Sequence, residues 1–121
     1  VSRQRPKIGA LQIAIILLAT ATAIIHLYLA FAILIPHMGK GGGAPFILNG
    51  IGYFVLLGAL YLPLAVLDRW RSLVHWVFIG YTALTVVLWF AIGTRDTIAY
   101  IDKIIEVMLI VLLFLDSRQT A

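Results

Sequence analysis

The chain reads as an all-α integral membrane protein, a four-helix up-down-up-down bundle forming a single domain over residues 1–121. Three observations predict this. Of its 121 residues 63% are hydrophobic and 12% charged, with mean hydropathy +1.07, whereas soluble domains are about half apolar and about a quarter charged. Apolar runs of about 20 residues, enough for a helix rising ~1.5 Å per residue to cross ~30 Å of hydrocarbon, recur along the sequence. The segments between them are short, which makes successive helices antiparallel neighbours. A soluble core enclosed by so little polar surface would leave large apolar patches facing water.

The first expected span, 8–35, is uncharged and closed by Pro36. Basic residues before it and "ATATA" at 19–23 also fit a secretory signal, but the apolar run continues far beyond a signal core, so a retained span is expected. The stretch "HMGKGGGAP" at 37–45 lacks the G-x-x-x-x-G-K-[ST] pattern and follows a helix instead of a strand, so it is no phosphate loop. Its glycine run reads as a flexible connector. The second span is expected over 46–67, kinked near its end by Pro63 and bounded by "DRWR" at 68–71. The third covers 73–92, ended by "GTRD", and the fourth covers 97–115. Small residues at Ala10, Ala14, Ala19 and Ala23, and at Gly50, Gly52 and Gly58, permit close approach of the first two helices.

Arg3, Arg5, Lys7, Arg69, Arg71 and Arg118 fall on one side of these spans, against Lys40 and Arg95 on the other. The positive-inside rule therefore places both termini in the cytoplasm and the chain as a multi-pass protein of the plasma (inner) membrane, with Trp70 and Trp76 at the inner interface and Trp89 at the outer one. The net charge of +4 is spread over ends and loops, without the basic stripe and interleaved aromatics of a nucleic-acid binder. The chain has no cysteine, which excludes disulfides, thiolate-held iron–sulfur clusters and thiol nucleophiles. The two helical hairpins do not match in sequence, so an inverted-repeat transporter within one chain is not expected.

The fourth span carries ionisable groups inside an apolar run. Counted back from Asp116, Glu106 lies ~15 Å deep and Asp102 and Lys103 ~20 Å deep. Their spacing puts all three on one helix face, extended outward by Ala99 and Arg95. A charge at mid-bilayer costs at least ~2.5 kcal/mol, so this face must turn toward the other helices. At the same depth those helices offer His26 and Tyr28, Asn49 and Tyr53, and Tyr81 and Thr85, with Tyr100 nearby on the fourth. Asp102, Lys103 and Glu106 sum to one negative charge if all are ionised; either a protonated His26 cancels it, or Glu106 is protonated and donates to Tyr81. The cluster reads either as interhelical glue that fixes register or as a polar ligand or proton path. Metal binding by His26 with Asp102 or Glu106 is a weaker alternative and no metal ligand set is assigned. His26 and His75 fall at opposite ends of the bundle and cannot share a haem iron, and His37 lies in the outer connector. No cofactor is assigned. No nucleophile elbow, zincin motif or triad pattern appears, which leans against an enzyme.

"HLYLAF" at 26–31, "LNGIGY" at 48–53, "YTALTVVLWF" at 81–90 and "YIDKIIEVMLIVLL" at 100–113 together resemble a group of small four-helix membrane proteins of halophilic archaea and Chloroflexus-type bacteria. The resemblance extends over about residues 10 to 115 and implies the same four-span plan, with no activity attached to it. The function expected first is that of an accessory or structural subunit packing against larger respiratory or photosynthetic membrane partners, in contact with the lipid bilayer and with other subunits or copies of itself. An alternative is transport of protons, ions or small solutes through an oligomer, with Glu106 and Asp102 as carriers, Lys103 as tuning charge and His26 as outer relay. A third is a quinone or pigment site, or a membrane enzyme, drawing on Tyr28, Tyr53 and Tyr100.

Overall fold

The computed structural model describes residues 8–120, and among them it is all-helical with no strand. Arg3, Arg5 and Lys7, on which the expected orientation leans, lie outside the described residues. Helix α1 (Ala10–Leu29) begins at Gly9, whose N–H donates to Gln12 Oε1 at 2.9 Å and is thereby satisfied at the helix start. A π-helical turn, Ala30–Leu34, joins α1 to α2 (Ile35–Tyr61).

The flexible connector expected at 37–45 is not there. These residues are helical, with one break at Gly39, whose φ of 78° and ψ of 179° interrupt the helix. Only glycine adopts that conformation without steric cost, so one residue supplies the reversal that a long loop was expected to make. Pro36 stands in the first turn of α2, directly after the π-helical turn. After the break α2 runs back along α1: the His26 ring lies 5.5 Å from that of Phe46 and 5.9 Å from that of Tyr53.

Helix α2 stops at Tyr61, six residues before the expected 67. Pro63 ends the helix instead of kinking it. Leu62 is extended (φ −66°, ψ 132°), as sterics demand of a residue preceding proline. A 3₁₀ segment, Ala65–Trp70, leads into α3 (Arg71–Ile92). Arg71 was expected as an interfacial charge, but only 2% of it is exposed. Its Nη1 donates to Leu60 O at 2.6 Å and Ala59 O at 3.1 Å, its Nη2 to Leu62 O at 2.5 Å, and it pairs with Asp68 Oδ1 at 3.2 Å. The guanidinium thus caps the carbonyls that the end of α2 leaves without helical partners.

Gly93 closes α3, and α4 (Thr97–Thr120) opens with Asp96 Oδ1 accepting from the Ala99 N–H at 2.9 Å. Arg95 does not extend the polar face of α4. It turns back over the Trp89 ring, 4.3 Å from its centroid, and donates to Phe90 O. Each helix packs on two others: α1 on α2 and α4, α3 on α2 and α4. Between them lie Ile15, Ala19, Ala23, Tyr53, Leu60, Phe78, Leu109 and Leu113. The outward surface is apolar as well, with Leu17, Ile24, Phe31, Leu48, Val55, Val87, Phe90, Ile104 and Val111 all exposed. Two helical stretches, Ala10–Tyr61 and Ala65–Ile92, are long and apolar enough to cross a membrane.

Arg71→Met removes a buried charged donor from several carbonyls at once, and a loss of about 3 kcal/mol or more in unfolding free energy is expected. Denaturant titration in detergent measures it, with exposed Arg69→Met as the control expected to stay within about 0.5 kcal/mol.

Candidate functional site

The buried face of α4 follows a heptad rhythm: Asp102, Glu106, Leu109, Leu113 and Asp116 are all inward. On α1 the inward residues are Gln12, Ile15, Ala19, Thr22, Ala23 and His26. The two helices run antiparallel, so these stripes meet in reverse order. Gln12 reaches Asp116, Thr22 reaches Glu106, and His26 reaches Asp102. Polar groups therefore form two layers, one at each end of the bundle, and Leu109 and Leu113 with Ile15, Ala19 and Phe78 form an apolar band.

The layer at Glu106 is the one the sequence points to. Glu106 is fully buried and Asp102 is 3% exposed. Glu106 Oε2 accepts from Tyr53 OH at 2.5 Å and from Thr85 Oγ1 at 2.9 Å, while Oε1 accepts from Lys103 Nζ at 2.5 Å. Asp102 Oδ1 accepts from Thr22 Oγ1 at 2.5 Å, and its Oδ2 lies 3.1 Å from Lys103 Nζ. The ammonium thus sits between the two carboxylates, each of which turns its other oxygen to hydroxyl groups. His26 Nδ1 donates to the Thr22 carbonyl at 2.7 Å, which directs Nε2 at Asp102 Oδ2, 3.8 Å away.

His26, Tyr53, Asp102, Lys103 and Glu106 are thus brought together. Tyr81 is adjacent, its ring edge-on to that of Tyr53 at 5.1 Å. Tyr81 is not the partner of Glu106 that one alternative expected, with Glu106 donating to it; its own hydroxyl donates to Asn49 O at 2.7 Å. Gly52 makes this possible, because a Cβ there would collide with the Tyr81 hydroxyl. Asn49 Oδ1 is buried with no hydrogen-bond partner, so Asn49 contributes its backbone and not its amide to the cluster. Tyr100 is half exposed and packs edge-on against Trp89 at 5.3 Å, away from the acids. Tyr28 is likewise exposed, and His37 donates to Ile33 O on the exterior.

The second layer, Gln12, Tyr61, His75 and Asp116, was not foreseen as a unit. His75 Nδ1 donates to Arg71 O at 2.9 Å and Nε2 meets Asp116 Oδ2 at 2.7 Å. Tyr61 OH donates to the same Oδ2 at 2.9 Å and Gln12 Nε2 to Oδ1 at 2.7 Å. Both ring nitrogens of His75 face acceptors, so the His75–Asp116 pair holds a shared proton beyond the one on Nδ1. The signal was present in the sequence: Asp116 lies fourteen residues, four helical turns, from Asp102 and hence on its face. Treating it as the end of the span concealed it. Thr22 and Gln12 were missed for a different reason, since a lone Thr or Gln in an apolar run carries no charge to flag it.

A groove at the α1–α4 seam is lined by Ile24, Ile25, Tyr28, Ile98 and Ile101, all but the tyrosine hydroxyl apolar. No family model, curated protein or solved structure matches the chain.

Asp116 lies just beyond the expected fourth span. Burial alone would push its carboxyl upward, but donors from His75, Gln12 and Tyr61 outweigh that and hold it below its ordinary 3.8. A depressed folded-state value contributes stability above the unfolded value and loses it as pH falls through the folded one. Stability from this group is therefore expected to be level above about pH 5 and to fall below about pH 4. Acid titration of helix content checks this, and Asp116→Asn is expected to flatten that part of the profile.

Proposed function

We propose that the chain is a small polytopic membrane protein that serves as an accessory or structural subunit, packing against larger membrane partners. The observation that carries this reading is the inversion of polarity between inside and outside. The carboxylates, imidazoles and hydroxyls of α4 and its neighbours bond to one another in two internal layers, while the large exposed side chains around the bundle are apolar. In this reading all four helices cross the bilayer in an up-down-up-down order, α4 included, because its ionisable face is turned inward and only Ile104, Val107, Val111 and similar residues meet lipid or a partner. The positive-inside count then sets both ends of the chain in the cytoplasm. The resemblance to small four-helix membrane proteins of archaea and Chloroflexus-type bacteria supports the same plan.

The polar layers serve as register devices. Interhelical hydrogen bonds in membranes are worth only about 0.6 kcal/mol on average, yet they select one alignment among helices that otherwise slide on lipid. A proton or ion path through one copy has to cross the apolar band at Leu109 and Leu113 that separates the layers, which ranks transport below an assembly role. A quinone or pigment site finds no support in Tyr28 and Tyr100, which stand apart from the cluster.

Extraction from the native membrane in several mild detergents, followed by sizing and identification of co-migrating chains, tests the proposal. Migration of the protein with a larger assembly is expected. Recovery of the free monomer or a homo-oligomer alone in every detergent would overturn it.

A further inference from the structure

We propose that His26, Asp102 and Glu106 form a binding site for a first-row divalent cation such as Zn²⁺ or Mn²⁺, in which Lys103 is a displaceable internal cation. One ligand atom from each of the three residues lies within 4.8 Å of the others, and all three residues are buried. That is the set of distances a single ion with nitrogen and oxygen ligands can draw together by small rotamer adjustments. A histidine with two carboxylates and no sulfur favours borderline or hard divalent ions over soft ones.

The oxygens divide by role. Glu106 Oε2 and Asp102 Oδ1 are held from outside by Tyr53, Thr85 and Thr22. Glu106 Oε1 and Asp102 Oδ2 both meet the Lys103 ammonium. His26 completes the pattern. Its Nδ1 is fixed on the Thr22 carbonyl, and Nε2 points at Asp102 Oδ2 from 3.8 Å, too far for a hydrogen bond. A buried imidazole oriented by a carbonyl on one nitrogen and lacking a hydrogen bond on the other is how histidine is presented to a metal, as are carboxylates steadied through their outer oxygens.

Charge gives the same answer. If Asp102, Glu106 and Lys103 are all ionised and His26 is neutral, the cluster carries one uncompensated negative charge. A divalent cation between the carboxylates, with Lys103 swung outward, makes it neutral. Lys103 is the member able to leave: its side chain is 11% exposed, against 4% for His26, 5% for Asp102 and none for Glu106, and a lysine can carry its ammonium outward along its apolar stem. The cation at the centre of the cluster is thus the one tethered group whose place an ion can take.

The test uses the whole chain in detergent, stripped with chelator, and Co²⁺ alone as a spectroscopic probe, with Zn²⁺ as competitor. One equivalent of Co²⁺ is expected to bind with visible bands stronger than those of the aqueous ion, and Zn²⁺ to abolish them. Lys103→Met removes the competing ammonium and is expected to tighten binding about tenfold or more, while His26→Gln is expected to weaken it by about 10- to 100-fold, the range for a disturbed metal shell. His37→Gln, on the exterior, is expected to leave binding unchanged. Helix content by circular dichroism confirms that each variant folds; if His26→Gln does not, the wild-type spectrum and the Lys103→Met gain decide. An aqueous-ion spectrum in both wild type and Lys103→Met, or binding that follows His37 instead of His26, overturns the proposal.

Discussion

Acids on α4 cannot be buried unless other helices supply donors to them, and this constraint orders the rest of the molecule. Glu106 is fully buried and Asp116 1% exposed, and an isolated carboxylate so placed would cost several kcal/mol or more. Each is met by groups from every other helix. Glu106 takes donors from Tyr53 on α2 and Thr85 on α3 and lies 3.3 Å from the Thr22 hydroxyl on α1, whose proton goes to Asp102; Asp116 takes donors from Gln12, Tyr61 and His75, one per helix. Two acids at two heights thus define where three helices stand around the fourth.

This repetition explains why the helices are locked in alignment. On an apolar helix face, leucines and alanines pack nearly as well after a shift of one turn. Moving α1 by one turn against α4 would carry Gln12 away from Asp116 and His26 away from Asp102 together. The cost of the slip is then the loss of the α1 donor from each of two buried carboxylates, Gln12 from Asp116 and Thr22 from Asp102, not only a repacked methyl group. The apolar band between the layers contributes packing without direction, and the layers contribute direction with little net energy.

The two layers differ in how their charge is closed. At Asp116 a histidine and a carboxylate share a proton, with Arg71 and Asp68 paired close by. At Glu106 two carboxylates share one ammonium, and an imidazole nitrogen stands just outside hydrogen-bond reach. The first arrangement is closed by short contacts on each side. The second has fewer closed contacts: His26 Nε2 stands 3.8 Å from Asp102 Oδ2 without a hydrogen bond.

Composition and periodicity were sufficient for the helical class and for the inward turn of Asp102, Lys103 and Glu106, because the energetic penalty on a charge in an apolar run depends only on local sequence. Depth along a helix put His26, Tyr28, Asn49, Tyr53, Tyr81 and Thr85 level with the acids but could not tell Tyr53 and Thr85, which bond to Glu106, from Tyr28, which faces outward. These signals could not set the partners of individual atoms. Tyr81 bonds to a carbonyl because Gly52 leaves room for it, and Arg71 leaves the surface because the end of α2 exposes carbonyls beside it. The reversal at Gly39 likewise needed only one residue with positive φ, a choice among glycines that no local pattern distinguishes. What the sequence by itself determined was which side chains had to be hidden, since burial energy is a property of each residue. What only the tertiary structure decided was which donors met them, since a hydrogen bond depends on tenths of an ångström between helices far apart in the chain.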